Sequence, residues 1–179
     1  MDWTIQFDKA VEQYLPDLKV VREEPMSRHT TFRIGGPAKR MAYPASREQL
    51  VLLLNFAGEC GAAPLVIGNG SNLLAPDEGL DRLVIDTSAH LNRVEQGTGN
   101  TVIADAGATL ARTADLACKL GLAGLEFAHG IPGTVGGGVC MNAGAYGGEM
   151  KQVLRSAAVL FPEEGVRTLS CEELKLSYR

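Results

Sequence analysis

Apolar positions Ile5, Phe7, Val11 and Leu15 fall near a helical stripe that Pro16 stops, which predicts a short helix through about Tyr14. Thr30, Phe32 and Ile34 alternate ahead of Gly35 and Gly36, the pattern of a short strand and a turn. Ser46-Arg-Glu-Gln49 has the form of a capping box, and the apolar stretch from Leu50 to Ala57 closes at Gly58 and Gly61, predicting a helix of about three turns. Three β-rich runs follow, Pro64 to Ile67, Leu83 to Asp86 and Thr101 to Ala104. Thr109 is placed to cap a helix from Leu110 to Leu120, with Leu110, Ala114, Ala117 and Leu120 on one face. Val153 to Phe161 and Val166 to Leu169 flank Pro162-Glu-Glu-Gly165 as a hairpin, and a second capping box, Ser170-Cys-Glu-Glu173, announces a helix from Cys171 to about Leu176.

Helices and strands alternate without a strict period, which predicts an α+β fold with mixed sheets. The stretch Ser88 to Asn100, holding Asn92, Gly97 and Gly99, reads as a linker between two subdomains, 1–90 and 91–179. With 45% hydrophobic and 21% charged residues the chain is far from the composition of disordered proteins. A net charge of -4 excludes a general nucleic-acid binder, which needs a basic stripe. Apolar runs such as Leu50 to Leu54 are far shorter than a membrane span, and Asp2, Asp8, Glu12 and Asp17 stand where a secretion signal would be apolar, so the expectation is a cytoplasmic chain away from membranes. Cys60, Cys118, Cys140 and Cys171 are too dispersed for a metal site or a disulfide framework. The oligomeric state is not legible.

Two segments carry candidate chemistry. Gly68-Asn-Gly-Ser-Asn72 opens directly from a β run, and its flexible backbone, hydroxyl and amides suit an anionic group such as a pyrophosphate; an ordinary turn has the same composition. Leu73 stands where a Rossmann fingerprint needs Gly. In Gly130-Ile-Pro-Gly-Thr-Val-Gly-Gly-Gly138, Pro132 stiffens a turn, Thr134 can cap a helical turn, and the glycines allow either exposed amide donors or tight packing of a helix. No Lys occurs from there until Lys151, which excludes a Walker loop. Asn142-Ala-Gly-Ala-Tyr-Gly147 extends this small-residue surface and carries Tyr146, an aromatic suited to a planar ligand and equally to a core or turn position. Two uncharged cradles in one chain suggest a dinucleotide cofactor. His29, His90 and His129 show no acid or nucleophile pattern nearby and read as surface or hydrogen-bonded structural residues, while Arg33 and Arg179 are cations able to grip a carboxylate or phosphate, although a solvent-exposed Arg is the commoner case.

Four segments in order, HTTFRIGG at 29–36, GNGSNLL at 68–74, GIPGTVGGGVCMNAGAYG at 130–147 and LKLSYR at 174–179, resemble the UDP-N-acetylenolpyruvoylglucosamine reductase (MurB) family. The third is highly specific to it. The resemblance implies an FAD-binding fold of the vanillyl-alcohol-oxidase (PCMH/VAO) type, built of two α+β subdomains that hold the flavin between them. It implies that Gly68, Asn69, Gly70, Ser71 and Asn72 form the pyrophosphate loop, and that Gly130, Ile131, Pro132, Gly133, Thr134, Gly137 and Gly138 form the second flavin-contacting segment, with Ala143, Gly144, Ala145 and Tyr146 beside it.

It further implies hydride transfer from NADPH through FAD to the enolpyruvyl group of a UDP-sugar, an oxidoreductase step of peptidoglycan synthesis and hence of cell-wall biogenesis, cell shape and division. The catalytic role that can be placed by this resemblance is that of Arg179, which would stabilise the developing enolate. The family's proton-donating Ser and late catalytic Glu lie beyond its Tyr-Arg pair, so the expectation is an N-terminal portion lacking the substrate-binding domain and inactive alone. Leu176 stands where many relatives have Phe, a packing variation. The alternative expectation is a non-catalytic flavin-binding module.

Overall fold

Asp2 starts the first helix: its carboxylate accepts from the Thr4 amide at 3.0 Å, and α1 (Trp3–Tyr14) runs to a C-cap at Leu15, just before Pro16. The computed structural model describes residues 2–161 and 164–177. The chain divides into two compact units, Met1–Leu91 and Asn92–Arg179.

In the first unit β1 (Lys19–Pro25), a 3-10 turn (Met26–Arg28), β2 (Pro37–Tyr43), α2 (Arg47–Glu59), β3 (Leu65–Ile67) and β4 (Leu80–Asp86) follow α1. The sheet order is β1-β2-β4-β3, with β1 antiparallel to β2 and both β2 and β3 parallel to β4. Alternation along the strands assigns the faces. Ala42, Leu83 and Ile85 turn toward Phe7, Leu53 and Ala57 of the two helices, while Met41, Val84 and Ile67 pack with Met26 and Ala75 on the other side. Arg40, buried on the helix side, is held by Asp8 of α1 through two bonds of 2.7 Å, Nε to Oδ1 and Nη2 to Oδ2. Ser46 caps α2 by accepting from the Gln49 amide at 3.2 Å, and the Gln49 side chain accepts from Ala45, one residue outside the reciprocal partner of a strict capping box.

The predicted strand at Thr30 to Ile34 does not form. Arg33 takes a left-handed φ of 56°, its amide donates to the Thr30 carbonyl at 3.0 Å, and the Thr30 hydroxyl donates to the Ile34 carbonyl, folding the alternating residues into a loop. The strands are on either side of it, in β1 and β2.

The second unit holds β5 (Val94–Gln96) and β6 (Val102–Ala104), then α3 (Leu110–Lys119), a 3-10 turn (Glu126–Ala128), α4 (Val135–Cys140), β7 (Gly144–Ala145), β8 (Gly148–Glu149), α5 (Met150–Val153), β9 (Ser156–Phe161), β10 (Gly165–Ser170) and α6 (Cys171–Leu174). The predicted linker thus contains a strand, β5, paired antiparallel to β6. Thr109 caps α3 as its position foretold, accepting from the Arg112 amide at 3.2 Å. Leu110, Ala114, Phe127, Ala128 and Met150 form this unit's core. The predicted strand from Val153 starts later, at Ser156, because Val153 ends a helical turn. β9 and β10 pair as the expected hairpin, two of whose turn residues, Pro162 and Glu163, lie outside the described residues. Ser170 and Glu173 form the reciprocal capping box, but α6 stops at Leu174 because Lys175 turns left-handed at φ 49°.

Candidate functional site

Parallel strands β3 and β4 end side by side, and both loops that leave their carboxyl ends are polar. Ile67 at the end of β3 accepts from the amide and the hydroxyl of Thr87, at 3.0 and 2.9 Å, which ties the exits of the two strands together. Asp86, last in β4, accepts from the amide and hydroxyl of Ser88 at 2.8 and 2.7 Å. Between these exits and the Arg28 to Thr31 loop lies a cleft of about 260 Å³ lined by Arg28, His29, Thr30, Thr31, Gly68, Asn69, Asp86 and Ser88. Its walls are polar, and it contains the first two residues of the predicted pyrophosphate loop.

The rest of that loop leans on the His29 to Thr31 backbone. The Thr31 amide donates to the Gly70 carbonyl at 3.3 Å. Gly70 has φ +59°, and a Cβ there would overlap the His29 carbonyl oxygen. Glycine is therefore required twice, by backbone angle and by contact. Further along, Gly36 donates to the Pro76 carbonyl at 2.8 Å, so the 29–36 and 68–76 segments form one fastened pair of loops. Ser71 is half-buried and Asn72 exposed on the second of them.

Beneath this loop pair lies a cluster that sequence reasoning missed. His29, read as lacking acidic neighbours, has its Nε2 3.1 Å from Glu24 Oε1 and its Nδ1 3.6 Å from Asp86 Oδ2. The Tyr43 hydroxyl is 3.5 Å from the same Nε2 and donates to Met41 Sδ at 3.0 Å. Asp86, then Glu24, hold the imidazole pKa above its usual value against the opposing effect of burial. Burial alone would raise the Asp86 pKa, but His29 and Ser88 outweigh it and the carboxyl titrates lower than usual. Burial, with both carboxylates nearby, pushes the Tyr43 phenol up to about 12. The residues come from β1, the following loop, β2 and β4, so no local spacing announces them.

In the second unit the glycine-rich segment answers the sequence differently. Thr134 caps α4, its hydroxyl facing the Gly137 amide at 3.5 Å. Of the two roles the sequence allows this segment, three amides favour packing, since Val135 donates to Ala108, Gly136 to Ala106 and Gly138 to Thr134, at 2.7, 2.8 and 2.7 Å. Gly136 and Gly138 are small for packing, because a Cβ would stand 2.9 Å from Ala106 Cβ and 3.1 Å from Leu110 Cδ1. The amides at positions 135, 136 and 138 are therefore engaged within the chain. What faces outward is the turn before the helix, with Gly130 and Pro132 exposed and Ile131 and Gly133 half-buried, together with the exposed Gly137.

Asn142, buried at φ 43°, fastens the next turn by donating to Glu149 at 2.8 Å and accepting from the Lys151 amide at 2.9 Å. Ala143 packs against the core, and Gly144 and Ala145 pair with Glu149 and Gly148. The two-residue turn of this hairpin is Tyr146 and Gly147, both left-handed at φ 53° and 85°, the signature of a type I′ turn. Tyr146 is 98% exposed. Arg179 and Tyr178 lie outside the described residues, and among the described residues no helix is long and apolar enough to cross a membrane.

Comparison with known proteins places this geometry. A family model described as FAD binding domain matches residues 38–170. The UDP-N-acetylenolpyruvoylglucosamine reductase of Agathobacter rectalis is 46% identical, the match covering 97% of this chain and 58% of the relative. That of Caldanaerobacter subterraneus is 43% identical over 94% of this chain and 55% of the relative. Among solved structures, the Thermus caldophilus reductase is 35% identical with a TM-score of 0.69, covering 90% of this chain and 55% of that one. A chitooligosaccharide oxidase shares the fold at 18% identity, with a TM-score of 0.69 over 97% of this chain and 38% of the oxidase. The chain spans about half the length of the curated relatives it matches. The fold is thus the α+β, PCMH/VAO-type one that the motifs implied, and the chain belongs to the family of FAD-binding domains.

Proposed function

We propose that this chain binds FAD and is the flavin-binding portion of a UDP-N-acetylenolpyruvoylglucosamine reductase. The observation that carries the reading is the Gly68 to Asn72 loop, leaving a parallel strand into a polar cleft with Gly70 seated on the His29 backbone. A polar cleft of about 260 Å³ suits the pyrophosphate of a dinucleotide, and the absence of a side chain at Gly70 lets the loop close onto the His29 carbonyl beside it.

In this reading Gly68, Asn69, Gly70, Ser71 and Asn72 hold the pyrophosphate. Gly130, Ile131, Pro132, Gly133, Thr134 and Gly137 contribute backbone and hydroxyl contacts to the remainder, Gly138 is packed behind them, and Ala143, Gly144, Ala145 and Tyr146 lie beside them. Bound flavin supplies two-electron acceptance and donation, with NADPH as the reductant and the enolpyruvyl UDP-sugar as the acceptor. Arg179 is assigned to the substrate carboxylate, where a fixed guanidinium lowers the cost of charge developing in the transition state. The same reading places the protein in the cytoplasm, where peptidoglycan precursors are made.

Absorbance of the purified chain, before and after FAD is added and free cofactor removed, tests the proposal. Retained flavin bands support it; a folded chain that stays colourless overturns it. Substrate-dependent NADPH oxidation then separates a reductase from a flavin-binding module without turnover.

A further inference from the structure

The Glu24, His29 and Asp86 cluster has no part in the reading so far, yet it lies directly under the loop that reading depends on. A carboxylate on the wall of a cleft meant for a pyrophosphate, with a second one close behind it, should repel the ligand. Asp86 and His29 line the cleft itself, and Glu24 stands behind His29, its side chain 14% exposed. A single imidazole lies between the two acids, within ion-pair distance of both.

We propose that His29 is the positioning residue of the phosphate-binding loop: as an imidazolium bridging Glu24 and Asp86 it offsets one of their two negative charges beside the cleft and fixes the carbonyl on which Gly70 rests, so that uptake of a dinucleotide pyrophosphate depends on its proton. The inference rests on the FAD reading above. Two linkages carry it. The ring is fixed between β1 and β4, and the backbone of the same residue is fixed from below by the His29 amide donating to Met26 at 2.8 Å and from above by the contact with Gly70. Loss of the proton leaves two carboxylates facing each other across a neutral ring, which both loosens the bracket and returns negative charge to the cleft.

The other groups facing the ring do not replace that proton. Tyr43 from β2 keeps its phenol neutral, with Lys19 Nζ 4.6 Å from the centre of its ring. Arg28 reaches Glu24 only at 3.6 Å with a side chain 70% exposed, and Ser88 gives Asp86 hydrogen bonds without charge.

The test is FAD affinity of the full chain, read by quenching of flavin fluorescence between about pH 5.5 and 9, beside an NMR titration of the His29 ring. Affinity is expected to hold at low pH and to fall about tenfold as the His29 proton is lost, the midpoint matching the NMR titration. His29→Gln should bind about tenfold more weakly at low pH with a flat profile, and adding Asp86→Asn to it should restore much of the loss. A merely structural histidine would move the melting temperature but not the profile. FAD bound by the wild type with no pH dependence matching His29, or a His29→Gln chain that keeps the full slope, overturns this inference and leaves the FAD reading standing. No FAD bound at any pH overturns both. The wild-type profile decides the matter even if His29→Gln fails to fold.

Discussion

The carbonyl oxygen of His29 occupies the space that a side chain on Gly70 would take. Gly70→Ala therefore combines a left-handed backbone penalty of about 1–2 kcal/mol with a steric overlap that can be relieved only by moving the loop. Gly70→Val adds a branch at the same point. Both variants are expected to lose flavin, Val completely, while the second unit's secondary structure persists. Yellow Gly70→Val protein after desalting would remove the phosphate-loop assignment.

Tyr146 is an aromatic residue in a left-handed turn, a place where Asn is preferred. Tyr146→Asn should raise stability by about 0.5–1 kcal/mol in urea unfolding, because it relieves an unfavourable φ and buried contacts are not at stake. If the ring lies against flavin, the same variant weakens FAD binding. Stabilisation with unchanged affinity would mean that Tyr146 does not touch the cofactor.

Asp8 is the counter-ion of Arg40, whose side chain is 10% exposed. Removing it leaves a nearly buried guanidinium unpaired, so Asp8→Ala should cost about 3 kcal/mol by denaturant unfolding. Arg22, 2.9 Å from the same carboxylate but 70% exposed, should cost well under about 1 kcal/mol when replaced by Ala. Equal losses from the two would contradict the burial argument.

These residues also show what the sequence could and could not disclose. The caps at Ser46, Thr109 and Ser170 were legible because a cap is a bond between residues three apart, and all three accept from the amide the spacing indicated. β2 was not legible. Its middle carries Lys39 and Arg40, and Arg40 is buried only because Asp8 arrives from a helix 32 residues earlier. The alternation at Thr30 to Ile34 misled for the converse reason: a local bond between Thr30 and Ile34 and the left-handed Arg33 bend it into a loop. In the candidate site, the GNGSN loop announced itself by composition. His29 did not, since its partners stand at positions 24 and 86 and meet only through sheet pairing.

The same cluster makes stability depend on pH. The His29 pKa is raised in the folded chain, so its contribution is full below the unfolded value of about 6.5 and is lost as pH rises through the folded one. Asp86, lowered in the fold, contributes above the unfolded value of about 3.9 and is lost as pH falls through its folded value. Melting temperature without cofactor should therefore peak in mildly acidic solution and decline on the alkaline side. His29→Gln should remove the alkaline decline, and a profile unchanged by that substitution would show that the ring is not the titrating group.

The antiparallel pairing of β1 with β2 has a practical consequence for where this domain can be cut. The family match begins at Ala38, inside β2 and past β1. A polypeptide started there would present the backbone donors and acceptors of β2 along an open edge, the kind that recruits strands from other molecules. Such a shortened domain also loses Phe7, Leu15 and Leu18 from the helix-side core and is expected to aggregate on expression, whereas one that begins at Asp2 keeps that core and the pairing of β2 with β1.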